Sequence, residues 1–396
     1  MTSFRRRVVL SGMGVISAAG EGVDSFWRAC VEGRSALRGI KRFDVAEYGI
    51  PQAGEVPWPL DPDGEPAASF ALAAASESLR TAGLASSDIP AASGVVLGTC
   101  LGGANAIFRW LSSSDPDAEP SASRWLREGS FSSPTSRLAD IYGLGGPVTT
   151  VSVACASGTA AIGHATDCIR RGEADLMFAG GTDALSRFVL SGFWLLRAMS
   201  ANHVRPFDRR RDGLLLGEGA GIVVLEERER AVERDAPILA EILGIGSAGD
   251  ANHMTGPSPT GDGLAQAIRA ALDDGQRDAE SVDFVSAHGT ATPYNDRMET
   301  LAIKLALGEH AQRVPIDSIK PIVGHTLGAA GSMEAILCVK AMREGVVPPT
   351  INYGEPDPEC DLDYVPNVAR DHAVRCALSC SSAFAGNNAA LLLGLP

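Results

Sequence analysis

One cysteine and two histidines carry the chemistry most readily open to this chain. Cys155 lies in Val-Ser-Val-Ala-Cys155-Ala-Ser-Gly158-Thr-Ala, His288 opens His288-Gly-Thr-Ala-Thr-Pro, and His325 sits in Gly324-His325-Thr-Leu-Gly-Ala-Ala-Gly. A thiolate is a nucleophile toward thioesters, and imidazoles can hydrogen-bond the atoms that change charge as a thioester reacts. One cysteine with two histidines could therefore do carbon–carbon bond chemistry on thioesters. Each residue alone is a weak signal, because cysteine is often simply buried. His164, His203, His253, His310 and His372 read as bystanders, His310 as a solvated surface residue beside Glu309.

The elements around these residues give them meaning. The alternating run 148–153 predicts a strand leading into Cys155, and the stretch 158–171 a helix leaving it. A thiol at a helix N-terminus feels the positive end of the dipole, which favours the thiolate. His288 falls at the end of a predicted strand and His325 just before a Gly/Ala-rich helix start. Those are positions where an α/β fold presents side chains to a cleft.

The two halves of the chain repeat one pattern. The opening Val8-Val-Leu-Ser-Gly12-Met-Gly14 is answered by Ala240-Glu-Ile-Leu-Gly244-Ile-Gly246. A helix over 69–82 and a strand ending at Gly98 are answered by a helix over 264–273 and a strand ending near His288. The helix over 158–172 is echoed over 331–345, and the closing strands 217–225 and 385–393 correspond. Strands alternating with helices predict an α/β fold. Two copies predict an N-terminal half, 1–238, carrying the cysteine and a C-terminal half, 239–396, carrying both histidines, with the site between them. The charged run 226–234 reads as a helical connector, and 112–123 and 353–358 as surface loops.

Composition narrows the setting. A chain of 396 residues has ample core for two such halves, and a net charge of −14 argues against nucleic acid or an anionic membrane as the main partner. No apolar run approaches the roughly 18 residues of a membrane span. The Arg5-Arg6-Arg7 start is followed by too short an apolar run for a signal peptide, so a cytoplasmic protein with free thiols is expected.

Two other motifs compete for attention. Gly244-Ile-Gly246-Ser-Ala-Gly249 satisfies G-x-G-x-x-G, but a loop rather than a helix follows, so turn glycines of a twisted hairpin account for it better than a dinucleotide site. His372, Cys376 and Cys380, with Cys360 upstream, have irregular spacing for zinc. Strand alternation would send Cys376, Leu378 and Cys380 to one buried face, and no metal is expected.

Taken together, the motifs resemble those of the elongating β-ketoacyl-[acyl carrier protein] synthases, Cys-His-His condensing enzymes of the thiolase superfamily. The resemblance runs from Val8 to Leu393 and rests on Ala154-Cys155-Ala-Ser-Gly158, Arg205-Pro-Phe-Asp208, Asp212-Gly-x3-Gly217-Glu-Gly219, Asn252-His-Met-Thr255, His288-Gly-Thr-x-Thr-Pro293, Lys320-x3-Gly324-His325 and Gly328-Ala-Ala-Gly331 with Glu334. It implies a thiolase-like fold, two duplicated α/β halves packed as an α-β-α-β-α sandwich. It also implies condensation of an acyl group held on Cys155 with malonyl-acyl carrier protein, in fatty acid or, by preference, specialised polyketide or polyene synthesis. The third catalytic position resembles histidine, unlike the Cys-His-Asn starter enzymes. The C-terminal loop Ala383-Phe-Ala-Gly386-Asn-Asn388 lacks the second cysteine of biosynthetic thiolases.

By the same resemblance, the oxyanion would be held by the N–H groups of Cys155 and Phe384. His288 and His325 would stabilise the enolate. Lys320 and Glu334 either orient the histidines or form a buried ion pair outside the chemistry. Thr255, Thr290 and Thr292 would hold the pantetheine arm, and Leu101, Phe193 and Phe384 the acyl chain, with core packing as the competing account of those three. No cofactor is implied beyond the carrier's phosphopantetheine. A homodimer, or a heterodimer with a chain-length partner, is implied. A simple acyltransferase, decarboxylase or hydrolase, or a structural partner subunit, stays open. The loop departs from the usual Gly-Phe-Gly-Gly-Thr-Asn, Ser382 replaces a common phenylalanine, and Trp194 replaces a smaller residue; these point toward a specialised acyl substrate.

Overall fold

The computed structural model describes residues 5–50, 52–57, 64–112 and 126–396. Most of the 112–123 stretch expected to loop lies outside them. The central sheet contains β1 (Val8–Ser17), β2 (Gly94–Gly98), β3 (Val148–Val151), β4 (Leu176–Asp183), β5 (Gly219–Glu227), β6 (Ala240–Gly249), β7 (Phe284–Ser286), β8 (Ile316–Asp317), β9 (Cys376–Ser382) and β10 (Asn387–Gly394). The strand order is β3-β2-β4-β5-β1 continuing into β6-β10-β9-β7-β8.

The repeat seen in sequence is a repeat of topology. In the first five strands, β2 runs parallel to β3 and β4, while β5 is antiparallel to both β4 and β1. In the second five, β7 runs parallel to β8 and β9, while β10 is antiparallel to both β9 and β6. A short seam, Val9 opposite Glu241 and Leu10 opposite Ala240, joins the two sets.

Among the helices of the layers are α1 (Pro66–Thr81), α2 (Ser157–Arg170), α3 (Asp262–Asp274) and α4 (Ala330–Glu344). Helices α2 and α4 pack on each other and on strands of both sets, which makes them the middle layer. Helix α1 covers the outer face of the first set and α3 that of the second. Helix α4 is accordingly buried on nearly all sides, as a helix between two sheets must be.

The glycines of the G-x-G-x-x-G match prove not to be turn residues. Gly244 and Gly246 lie inside β6, and a Cβ on them would come within 2.0 Å of the Ala271 carbonyl and 1.9 Å of the Ala267 carbonyl on α3. Gly12 and Gly14 of β1 stand in the same relation to Ser78 and Ala74 on α1, at 2.0 Å each. The shared motif is thus a shared close approach of helix to strand.

Two other expectations need correction. The 226–234 run is not one helix: β5 continues through Glu227, and the helix spans only Arg228–Glu233. Glu226 ends buried, accepting from Ser11 and from Arg234 Nε at 2.8 Å, and a buried carboxylate needs such donors. His310 is not merely solvated, since its Nε2 donates to the Val282 carbonyl at 2.7 Å. Cys360, Cys376, Leu378 and Cys380 do share one apolar cluster, while His372 bonds the Asp283 carbonyl at 3.0 Å.

Candidate active site

The nucleophile's position begins with a tight elbow. After β3 the chain turns at Ala154, with φ 51°, and enters α2 at Ser157. Ser157 Oγ accepts from the Val153 N–H at 2.9 Å and donates to the Ala154 carbonyl, closing the turn. Cys155 is buried just ahead of the helix.

Small residues let α2 and α4 meet. A Cβ on Gly158 would lie 2.7 Å from the Gly328 carbonyl, and one on Gly331 would lie 2.0 Å from Thr159 Oγ1. This contact brings the turn before α4, which carries His325, onto Cys155. His325 Nε2 stands 3.1 Å from Cys155 Sγ. The Leu327 N–H donates to His325 Nδ1 at 3.4 Å, so the proton of the neutral ring belongs on Nε2, facing the sulfur.

His288 comes from the loop after β7. Glu299 accepts from the His288 N–H at 2.6 Å and the Gly289 N–H at 2.8 Å, clamping that loop. The two imidazoles are edge to face, centroids 5.3 Å apart. One ring nitrogen of each histidine and Cys155 Sγ all lie within 4.8 Å of one another. Burial first, then the Lys320 charge and His325, hold His288 well below the usual histidine range. His288 Nδ1 is buried without a hydrogen-bond partner among the described residues.

Lys320 Nζ and Glu334 Oε1 form a buried pair at 2.6 Å. It ties the turn carrying His325 to α4. The thiol of Cys155 is held well below the usual range, first by the influence of the Cys100 thiol and then, against burial, by His325 and Lys320. The convergence of one sulfur and two imidazoles could in principle hold a metal ion. Lys320 makes the potential there positive, and an Nε2–H aimed at sulfur is a donor rather than a ligand.

A cavity of about 60 Å³ opens onto Cys155, His288 and His325, and Thr255, Thr290, Thr292, Phe193 and Phe384 line it as well. Thr290 and Thr292 hydroxyls bond each other at 2.9 Å. Phe193 and Phe384 stack, centroids 5.4 Å apart, and close one side. Leu101, expected on the acyl pocket, does not line this cavity. Its N–H is held by Asp183 at 3.0 Å and its side chain packs against the apolar cluster behind Phe193.

The sequence reading passed over Asp183 and Glu299. Asp183, at the end of β4, is fully buried and accepts from Thr99 Oγ1 and the N–H groups of Cys100, Leu101 and Gly328, at 2.7–3.0 Å. Burial still pushes it up to about 6, and Glu299 up to about 7. A signal was present, since Asp183 ends a strand on the side of the sheet where Cys155 follows β3. Backbone strain gathers at the same place: Ala154, Ala291, Leu327 and Ala385 have φ of 51°, 65°, 54° and 63°. Ala385 occupies the position where the loop more commonly has glycine, so here the left-handed turn carries a methyl group.

A five-layer duplicated α/β fold with a buried Cys-His-His cluster defines a condensing enzyme of the thiolase type. The family model described as "Beta-ketoacyl synthase, N-terminal domain" matches residues 63–231, and "Beta-ketoacyl synthase, C-terminal domain" matches 239–354. The chain belongs to the β-ketoacyl synthase family, enzymes of the acyltransferase class. It is 41% identical to the tetracenomycin polyketide synthase ketoacyl synthase alpha subunit of Streptomyces glaucescens, over 99% of this chain and 97% of that one. Among solved structures it is similar to the ishigamide ketosynthase/chain length factor, with TM-score 0.92, 40% identity, and 99% and 100% of the two chains covered. It is also similar to AntDE:AntF, a type II polyketide synthase acyl-carrier protein in complex with its ketosynthase bound to the hexaketide, with TM-score 0.93, 34% identity, and 99% and 100% covered. No helix among the described residues is long and apolar enough to cross a membrane.

Proposed function

We propose that this chain condenses an acyl group held on Cys155 with malonyl-acyl carrier protein, with loss of CO2, in a specialised polyketide or polyene pathway. The observation that carries the reading is the placement of His325 Nε2 at 3.1 Å from Cys155 Sγ, with His288 beside it. In the first half-reaction the Cys155 thiolate attacks the carrier thioester and the carrier thiolate leaves. The N–H groups of Cys155 and Phe384 hold the oxyanion; such donors are each worth roughly 3–4 kcal/mol.

In the second half-reaction the malonyl thioester carbonyl accepts from His288 and His325. The carboxylate leaves as CO2, and its bonding electrons become an enolate that attacks the acyl-Cys155 carbonyl. The Cys155 thiolate is expelled and a β-ketoacyl carrier two carbons longer departs. Lys320 favours both the thiolate and neutral His288, and Glu334 holds Lys320 in place. Thr255, Thr290 and Thr292 line the approach of the pantetheine arm. Residues 1–238 supply the nucleophile and 239–396 the histidines. Decarboxylation supplies both carbanion and driving force, so the reaction uses no metal or organic cofactor, and the setting is cytoplasmic.

Two features support specialisation and a partner chain. The 60 Å³ cavity is far below the roughly 300–1,000 Å³ of a ligand pocket, so a chain of any length enters only if the Phe193–Phe384 stack opens. The Phe108 and Phe188 rings meet at a tilt, centroids 5.0 Å apart, and join two helices, Ala104–Ser112 and Arg187–Leu195. Ile107, Leu111, Trp194, Leu195 and Leu196 on or beside them are also exposed. A second ketosynthase-like chain, identical or not, would bury such a surface.

The test is intact-protein mass spectrometry with a panel of acyl carriers, followed by malonyl carrier. An adduct on Cys155 that disappears as a product two carbons longer forms is the expected result. Cys155→Ala should abolish it, and His325→Ala should slow decarboxylation more than acylation. Acylation without a longer product would reduce the enzyme to an acyltransferase. No adduct from any acyl chain would make it a structural subunit.

A further inference from the structure

One polar side chain of the cavity has no part in the condensation. Asn295 lies in the first turn of the helix Pro293–Leu307, is 8% exposed, and lines the cavity with His288, Thr290 and Thr292. Its Nδ2 donates to Asp296 Oδ1 at 3.2 Å and to Glu299 Oε2 at 3.4 Å. Each of those oxygens also accepts a backbone N–H, from Ala291 at 3.1 Å and from Gly289 at 2.8 Å. Both are therefore acceptors, which holds the nitrogen of the amide toward them and turns Oδ1 the other way. Oδ1 has no partner among the described residues, yet it is not sealed off as His288 Nδ1 is. An amide oxygen carries no proton, so only a donor that enters the cavity can satisfy it.

We propose that Asn295 is a further binding residue, whose Oδ1 accepts an amide N–H of the pantetheine arm. This rests on Cys155 being acylated by a carrier whose arm enters past Thr290 and Thr292. The chemistry of the substrates selects the arm. The thioester carbonyl, the enolate and the malonyl carboxylate offer only acceptors, which an amide oxygen repels. The arm carries two amides, each with an N–H to give and a carbonyl to be satisfied. The cavity wall answers both ends. Thr290 and Thr292 hydroxyls bond each other at 2.9 Å, which leaves one hydroxyl proton for a carbonyl, while Asn295 takes the N–H. The contact also reaches the catalytic loop. Glu299 accepts from the His288 N–H at 2.6 Å as well as from Asn295, so one carboxylate holds both the histidine and the residue that reads the arm.

The experiment follows acylation of Cys155 by mass spectrometry at subsaturating acyl carrier. Three carriers are compared: one with the natural arm, and two in which one or the other amide N–H is replaced by an ester oxygen. In the wild type one analogue should react about tenfold more slowly than the natural arm, the effect of one lost hydrogen bond that leaves an acceptor unsatisfied. In Asn295→Ala the natural arm should slow by about the same factor and that analogue no further, because its partner is already gone. If Asn295→Ala does not fold, Asn295→Leu fills the space without an acceptor and takes its place. A merely structural role would slow all three carriers alike in the variant and keep the wild-type preference among them. That result would overturn the proposal, as would a wild type that accepts both analogues at the natural rate. No adduct on Cys155 from the natural carrier would overturn the underlying assignment of the nucleophile; an adduct formed without preference among the arms removes only the role of Asn295.

Discussion

Replacing Lys320 with methionine tests the electrostatics of the site at their strongest point. Lys320 and Glu334 are each 2% exposed, and Nζ–Oε1 is 2.6 Å. Glu334 Oε2 has no other hydrogen-bond partner among the described residues. Methionine fills similar space but strands a buried carboxylate, and breaking such pairs typically costs about 3–5 kcal/mol. The carboxylate can escape by binding a proton, which caps the penalty. From an ordinary value of 4.5, protonation at pH 7 spans about 2.5 units, or ~3.4 kcal/mol.

The sign follows from linkage. In the variant, the folded-state pKa of Glu334 lies above its unfolded value, so stability is full below about pH 4.5 and is lost as pH rises. Burial already raises Glu334 in the wild type, so Lys320→Met should be at most about 3 kcal/mol less stable than wild type at pH 7, with the gap narrowing by up to about 1.4 kcal/mol per unit toward pH 5. Urea unfolding at pH 5, 6 and 7 measures it. Adding Glu334→Gln should remove the pH dependence and restore most of the stability. A gap that is the same at pH 5 and pH 7, or absent at both, refutes the reasoning.

Two further outcomes are expected. Because burial and Lys320 hold His288 well below the usual histidine range, it stays neutral at mild pH. Single-turnover decarboxylation of malonyl carrier should be flat from pH 6 to 8, and a fall with a midpoint near 6.5 would show that His288 titrates normally. Gly331→Val places a Cβ 2.0 Å from Thr159 Oγ1 and 2.9 Å from Ser381 Oγ, wedging α2 from α4. Overpacking should cost about 1–3 kcal/mol in urea unfolding and slow acylation per folded molecule. Lost stability with an unchanged acylation rate would show that helix spacing does not position Cys155.

The sequence by itself determined what is local or repeated. The strand-to-helix run around Cys155 is a property of neighbouring residues. The two openings with paired glycines, Gly12-x-Gly14 and Gly244-x-Gly246, announced the duplication because each half must solve the same packing problem. The motifs containing Cys155, His288 and His325 stood out by residue type and context, and carried the family with them. What the glycines are for was not legible, because close approach by α1 or α3 involves atoms 21–66 residues away. The run at Glu226 misled for a related reason: its charges look solvent-facing until Arg230 and Arg234 fold back onto them.

Only the tertiary structure decided how the site is assembled. Cys155 and His325 are 170 residues apart in the chain and 3.1 Å apart in space, through a helix contact that depends on missing side chains at Gly158 and Gly331. Asp183 and Glu299 belong to no pattern in their own segments. Their importance comes from what the fold brings against them: four donors for one carboxylate and a clamped backbone. Hydrogen bonds and charge act over a few ångströms in three dimensions, and the chain's order does not record those distances until it has folded.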